Sequence, residues 1–254
     1  MPIDLGIYDV IILDGFGTLY DKKLMPLPGA LGIIRSIGTK SILFSNVGSM
    51  TGFQLKGRLK SAFIELPSNI ITSMDMLQRY LKQQHIKSVF HYGGEAAAEV
   101  LTDSEITVVP DDEDADVLVF TSLPGQDWIR ASQSALRLIN SRKVKHVILA
   151  NPDRLLPGEH VGINVGMMFD MLIKSWPDED YPLTIVEIGK PMLNRSDFDI
   201  DNEARILVIG DNQITDGGLA KSLGADFILI SKIKVVDSGR LKVYESLEGM
   251  TENE

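Results

Sequence analysis

Four short stretches carry side chains suited to phosphate chemistry. VIILD (10–14) is an apolar run that stops at Asp14, with Gly15, Phe16, Gly17 and Thr18 after it. SILFS (41–45) stops at Ser45, and Asn46 follows. EIGKP (187–191) places Lys190 after a further apolar run. ILVIGD (206–211) stops at Asp211, with Thr215 and Asp216 close behind. A carboxylate such as Asp14 can attack phosphorus and form an aspartyl phosphate. Phosphoryl transfer depends on in-line positioning and charge stabilisation. Mg²⁺ takes hard oxygen ligands, which Asp14 and Asp211 offer. Ser45 and nearby backbone N–H groups suit phosphate oxygens, and Lys190 suits the charge that develops on them. Thr18 is placed to fix the loop after Asp14, and Asp216 to orient Lys190 or a metal-bound water. Singly, each has a plainer reading. A strand-ending Asp often caps a helix, and a Lys before Pro is often solvated. Together, and in this order, they point to one site.

Such residues need strands that end at a common edge. VIILD, SILFS, SVFHY (88–92), VLVFT (117–121), HVILA (146–150), TIVEIG (184–189), ILVIGD and FILI (227–230) are apolar without alternation. Strands covered on both faces read this way. Helical patterns lie between several of them. From Asp127, Trp128, Ala131, Ala135 and Leu138 fall on one helical face. LAKSLG ends at Gly224, a helix-terminating glycine. Alternation of strand and helix predicts an α/β fold with a doubly wound parallel sheet, whose ligands bind at the carboxyl ends of the strands. No internal repeat and no low-complexity linker interrupts the pattern.

Composition narrows the function classes. A chain of 254 residues, 44% hydrophobic, holds one large α/β domain or a core with an inserted module. It has no cysteine, which excludes disulfides, thiolate metal sites and Cys nucleophiles. The start, MPIDLG, lacks the basic region of a secretory signal, and no apolar run has the length of a membrane span. A cytoplasmic protein is expected, without membrane attachment. The net charge of −10 argues against non-specific nucleic-acid binding. A small anionic ligand remains compatible, since local donors outweigh global charge. DDEDAD (111–116) lacks the spacing and glycine of a calcium loop and reads as an exposed acidic turn.

The set DGFGT, SN, GKP and GDNQITD resembles the four motifs of the haloacid dehalogenase (HAD) superfamily. PLPGA (26–30) and NPDR (151–154) make the resemblance one to its NagD-like, nitrophenylphosphatase-like branch. It spans nearly the whole chain. It implies a Rossmann-like core, residues 1–74 and 184–254, interrupted by an α/β cap at 75–183 that covers the active site and helps select substrate. It implies Asp14, Ser45 and Lys190 as catalytic residues, with Asp216 in support. Mg²⁺ is implied as cofactor, held by Asp14, the Phe16 carbonyl and Asp211. Gly15, Thr18, Asn46, Asn151 and Asp153 become the phosphate and substrate contacts. For NPDR the plainer reading is an Asn-Pro-Asp turn. The branch often dimerises, so a homodimer is an open expectation. The implied substrate is a small phosphorylated metabolite.

One position departs from the pattern. The first HAD motif is Asp-x-Asp-x-Thr, and its second Asp protonates the leaving group and then deprotonates the hydrolytic water. Here that residue is Phe16, which does neither, although its carbonyl can still ligate metal. General acid–base help is typically worth about 10²–10⁴-fold, so a slow enzyme is expected rather than a dead one. A smaller departure is Ile214, where many relatives carry a polar residue. Three readings stand. The first is a Mg²⁺-dependent phosphohydrolase with reduced or unusual activity, served by a good leaving group or by a base such as His91 or His160. The second is a catalytically impaired relative that binds a phosphorylated ligand or a partner. The third is other HAD chemistry, on phosphonates or haloacids. It is the weakest, because no Schiff-base lysine pattern is evident and haloacid dehalogenases do not need Mg²⁺.

Overall fold

The computed structural model describes all residues except 1–2, 64–65, 68, 111–112, 114, 116, 123–127, 157–161, 177–180, 232–240 and 252–254. Along the chain, β1 (Val10–Asp14) leads to α1 (Ala30–Ile37), β2 (Ser41–Ser45), α2 (Gly52–Leu59), β3 (Asn69–Thr72) and α3 (Ser73–Gln83). Next come β4 (Ser88–Tyr92), α4 (Glu95–Asp103), β5 (Thr107–Val109), β6 (Val117–Phe120), α5 (Trp128–Asn140) and β7 (His146–Leu149). A small hairpin, β8 (Leu155–Leu156) and β9 (Gly162–Ile163), precedes α6 (Val165–Lys174) and β10 (Thr184–Glu187). The chain closes with β11 (Ile206–Gly210), α7 (Thr215–Leu223), β12 (Asp226–Ile230), β13 (Leu241–Tyr244) and α8 (Glu248–Thr251).

The chain divides into two units. The first comprises Met1–Ser45, Gly52–Ile71 and Lys190–Glu254; the second comprises Asn46–Thr51 and Thr72–Gly189. The first is built on a six-stranded sheet of order β13-β12-β11-β1-β2-β3. Its central pairings, β1 with β2 and β1 with β11, are parallel. Ile11, Ile12, Leu13, Leu43, Phe44 and the apolar residues of β11 are buried, which is why these runs carry no alternation. Strand order runs outward one way from β1 through β2 and β3, and the other way through β11, β12 and β13. The switch point, where open α/β sheets bind ligands, therefore lies between β1 and β11.

The second unit repeats the logic with a five-stranded parallel sheet of order β10-β7-β6-β4-β5. Its core packs Phe90, Phe120, Leu138, Val147, Met168 and Phe169. α5 presents Ala135 and Leu138 to that core, with Trp128 packed against it and Ala131 buried, on the face the sequence spacing predicts; Asp127 lies outside the described residues. α3 begins with a reciprocal cap, in which Thr72 Oγ1 accepts from the Asp75 N–H and Asp75 Oδ2 accepts from the Thr72 N–H.

The boundaries differ from the sequence expectation: residues 46–51 and 72–74 fall in the second unit rather than the first, and so does one strand. The expected boundary places TIVE with residues 184–254. In the structure it is β10, paired with β7 from Thr184↔His146 to Glu187↔Leu149. The division falls between Gly189 and Lys190. An apolar strand does not announce which sheet it joins, and only the pairing decides. Most of the acidic run 111–116 lies outside the described residues, as does His160. No helix among the described residues is long and apolar enough to cross a membrane.

Candidate active site

β1 and β11 lie side by side in register, Leu13 opposite Ile209, so Asp14 and Asp211 emerge next to each other. β2 lies on the other flank, with Asp14 opposite Phe44, one residue before Ser45. α7 starts directly after the Asp211 turn and brings Asp216 back beneath it. Asn212 shapes that turn: its Oδ1 accepts from the N–H of Ile214 (2.9 Å) and Thr215 (3.3 Å). Its own N–H donates to Asp216 Oδ2 (3.0 Å). The Ile214 side chain is 74% exposed, so its apolar character is turned to solvent.

The oxygens of Asp14, Asp211 and Asp216 come within 4.8 Å of one another. Lys190 answers two of them. Its Nζ donates to Asp14 Oδ1 and lies 2.6 Å from Asp216 Oδ1, and the Phe44 carbonyl is 3.4 Å away. Lys190, Asp14 and Asp216 are all buried. Burial disfavours the Lys190 ammonium, but Asp14 and Asp216 outweigh it and hold the pKa above the ordinary lysine value. Burial pushes the Asp14 carboxyl well above its usual range; Lys190 opposes the shift, while Asp216 and Asp211 add to it. Three carboxylates against one ammonium is an electron-rich cluster, and Asp14 Oδ2 is buried without a hydrogen-bond partner. Hard oxygens and an orphaned carboxylate oxygen are what a divalent cation requires. The residues fit such an ion.

The loop after Asp14 is folded tightly onto this cluster. The Gly15 carbonyl accepts from the N–H groups of Thr18 (3.3 Å), Leu19 (2.8 Å) and Tyr20 (3.1 Å). Gly17 adopts φ +88°, and a Cβ there would lie 2.2 Å from Asp211 Oδ2, so any other residue would be strained and would displace the Asp211 carboxylate. Thr18 is buried and its hydroxyl has no partner. Its backbone N–H, rather than its side chain, ties the loop. Phe16 is half-buried, and its backbone bridges to Tyr20.

Asn46, Asn151 and Asp153 belong to the second unit. Asn46 Nδ2 donates to Asp153 Oδ1 (2.8 Å). Asn151 Nδ2 donates to Ser122 Oγ (3.1 Å), while its Oδ1 accepts from the Asp153 N–H (3.2 Å). NPDR is thus an Asx-type turn, as its plainer reading supposes. Arg154 is clamped on Asp170 by two hydrogen bonds, of 3.0 and 3.1 Å. The structure therefore gathers Asp14, Lys190, Asp211 and Asp216 in the first unit and links Asn46 to Asp153 in the second. His91, weighed as a base, is tied by Nε2 to Thr121 Oγ1 (2.8 Å), and burial depresses its pKa to about 4.

Two participants escaped the sequence reading. Asn212 supports the Asp211 turn, and its place between Asp211 and Asp216 was the available signal. Tyr20 had no such signal. It is buried, with its pKa pushed up to about 12, chiefly by burial; the Ser45 side chain counters and Asp14 adds to the shift.

Residues 11–107 match the family model described as haloacid dehalogenase-like hydrolase. Among solved structures, p-nitrophenyl phosphatase from Archaeoglobus fulgidus is 23% identical, with a TM-score of 0.73 over 96% of this chain and 98% of that one. NagD from E. coli K-12 is 21% identical, with a TM-score of 0.71 over 98% of each chain. Glycerol phosphate phosphatase from Mycobacterium tuberculosis, in complex with magnesium, is 19% identical, with a TM-score of 0.74 over 100% of this chain and 80% of that one. At these identities the structural likeness is one of fold. No curated protein matches the chain in sequence.

Proposed function

We propose that this chain, which carries the motifs and fold of the NagD-like branch of the HAD superfamily, is a Mg²⁺-dependent phosphohydrolase. Its substrates are small phosphate monoesters. The observation that carries the reading is Asp14, with one carboxylate oxygen held by Lys190 and the other buried without a partner beside Asp211. Asp14, the Phe16 carbonyl and Asp211 would hold the Mg²⁺. When bound, the ion neutralises charge on the phosphoryl oxygens and on the carboxylates.

The protein groups do the rest. The free oxygen of Asp14 attacks phosphorus, the bond to the ester oxygen breaks, and the electron pair leaves with that oxygen. Lys190 is already charged and fixed, so it stabilises the transferring group without reorganisation. Ser45 and the loop N–H groups hold phosphoryl oxygens. Water then attacks phosphorus, the bond to the Asp14 oxygen breaks and returns its electron pair to the carboxylate, and phosphate leaves with the water's proton passing to solvent. Phe16 supplies no proton in the first step and accepts none in the second, so esters with easily departing alcohols are turned over best. Asn46, Asn151 and Asp153 are the residues of the second unit assigned to substrate. The setting is cytoplasmic, with neither nucleic acid nor membrane as partner, and a homodimer fits the branch.

Phe16 itself favours a second reading, a relative that binds a phosphorylated ligand without turning it over. Hydrolysis of p-nitrophenyl phosphate with Mg²⁺ or with EDTA, beside Asp14→Asn and Asp211→Ala, separates the two. Activity that requires both Mg²⁺ and Asp14 is expected, with Asp211→Ala losing the calorimetric signal of Mg²⁺ binding. Activity no greater than that of Asp14→Asn would leave the binding reading in its place.

A further inference from the structure

We propose that Arg154 is a positioning residue for substrate recognition: its guanidinium fixes the turn that carries Asp153, whose carboxylate accepts from hydroxyl groups on the alcohol half of the ester. The inference rests on the phosphohydrolase reading above and adds to it a residue and a substrate feature. The peptide joining Pro152 to Asp153 is pinned at both ends. Its carbonyl accepts from Arg154 Nη1 (3.0 Å), and its N–H donates to Asn151 Oδ1 (3.2 Å). A peptide is planar, so two fixed ends fix the plane and the Asp153 Cα attached to it. The next two carbonyls are held by the start of α6. That of Asp153 accepts from the Gly166 N–H (3.2 Å), and that of Arg154 from the Asn164 N–H (3.0 Å). The approach is so close that a Cβ on Gly166 would fall 2.5 Å from the Pro152 oxygen and 2.8 Å from the Asp153 oxygen.

Arg154 is itself braced. Nε and Nη2 hold the two oxygens of Asp170 on α6, at 3.0 and 3.1 Å. Nη2 also lies 3.6 Å from Oε1 of Glu187, the last residue of β10. A guanidinium is a planar fork, so one edge grips a carboxylate while the remaining nitrogen reaches a carbonyl; a lysine ammonium is a point charge and cannot do both in one fixed geometry. The Arg154 side chain is 35% exposed, and ion pairs so placed add little stability. An Asn-Pro-Asp turn also forms without any arginine. What the clamp adds is therefore a fixed direction for Asp153. A carboxylate accepts hydrogen bonds and donates none. Asp153 already receives the Asn46 amide on Oδ1 (2.8 Å). The group on a substrate that matches such a residue is a hydroxyl.

The test is inhibition of p-nitrophenyl phosphate hydrolysis by two competitors, ribose 5-phosphate and inorganic phosphate, of which only the first carries an alcohol half with hydroxyls. Arg154→Gln is expected to raise the inhibition constant of ribose 5-phosphate about tenfold, the low side for a hydrogen bond to a charged group. That of inorganic phosphate should move less than about twofold, a selectivity that a merely structural role would not produce. Arg154→Lys keeps the charge without the fork and should lose as much. Asp153→Ala should raise the same constant, and adding Arg154→Gln to it should raise it no further, because Arg154 works only through Asp153. Wild-type inhibition by ribose 5-phosphate in Arg154→Gln, Arg154→Lys or Asp153→Ala, equal losses for the two competitors, or full additivity in the double variant overturns the inference. So does failure of ribose 5-phosphate to compete in the wild type. Absence of p-nitrophenyl phosphate hydrolysis in the wild type would instead remove the phosphohydrolase reading, and this role with it. Amide hydrogen exchange gives a second readout, since the Asp153 N–H should exchange faster once Arg154 releases its peptide. Unchanged exchange at Asp153 in Arg154→Lys and Arg154→Gln would equally overturn the role.

Discussion

At the scale of single residues, the site is a buried electrostatic balance with one replaced part. Lys190 bridges Asp14 and Asp216, and the oxygen it does not reach on Asp14 is buried without a hydrogen-bond partner. Phe16 stands where a proton carrier is expected, and the rest of the cluster is intact around it. Restoring the carrier is therefore informative. Phe16→Asp is expected to raise turnover of alkyl phosphates at least about tenfold, the low side of what general acid–base catalysis contributes. p-Nitrophenyl phosphate, whose leaving group needs little protonation, should gain less. Steady-state kinetics on both esters measure this, with thermal unfolding to verify that a fourth carboxylate near Asp14 is tolerated. Equal gains on the two esters would remove leaving-group protonation as the step Phe16 costs.

At the scale of elements, the loop from Asp14 to Tyr20 and the starts of the helices do the positioning. Gly17→Ala should disable the site without unfolding the sheet. The φ of +88° and a Cβ 2.2 Å from Asp211 Oδ2 would push the loop and the carboxylate apart. The expected result is loss of Mg²⁺ binding by calorimetry, with near-native circular dichroism. α3 offers the contrast of a purely structural device. Thr72 is fully buried and caps that helix, and its hydroxyl also lies 2.8 Å from the Met50 carbonyl. Thr72→Ala should cost about 1–2 kcal/mol, the upper range for a lost cap. The urea midpoint should fall while kcat is unchanged; a fall in kcat with an unmoved midpoint would contradict the assignment.

At the scale of the whole molecule, two parallel α/β units follow the same rule, with strands converging where the order reverses. In the first unit that point carries the carboxylates. In the second it carries His91 on β4 and Thr121 just after the end of β6, the adjacent strand. Burial lowers the His91 pKa from 6.5 to about 4. The unfolded chain then takes up a proton at a pH where the folded one does not. The stabilisation is fully present above pH 6.5 and is lost as pH falls toward about 4. By linkage it is worth on the order of 3 kcal/mol. Unfolding free energies measured from pH 7 to 4 should show this slope, and His91→Gln should flatten it. An unchanged slope in His91→Gln would assign the acid sensitivity to other groups.

Much of this was legible in the chain. β1 and β2 match VIILD and SILFS to the residue, because unbroken apolar runs bounded by polar residues suit only strands covered on both faces. α7 stops at Gly224, which takes the left-handed conformation that ends helices. The short β3, β5 and β13 are not among those runs, since NIIT, TVV and LKVY hold no more than two apolar residues in a row. The sequence by itself determined the class of the fold and which carboxylates and lysine follow its apolar runs, with Phe16 at the position where the family it resembles carries an Asp, for these depend on residue type and order along the chain. Only the tertiary structure decided that β10 belongs with β7, that Lys190 spans two carboxylates, and that Tyr20 lies against Gly15. Each of these depends on which segments become neighbours, and an apolar run, a lysine or a tyrosine does not encode its partner.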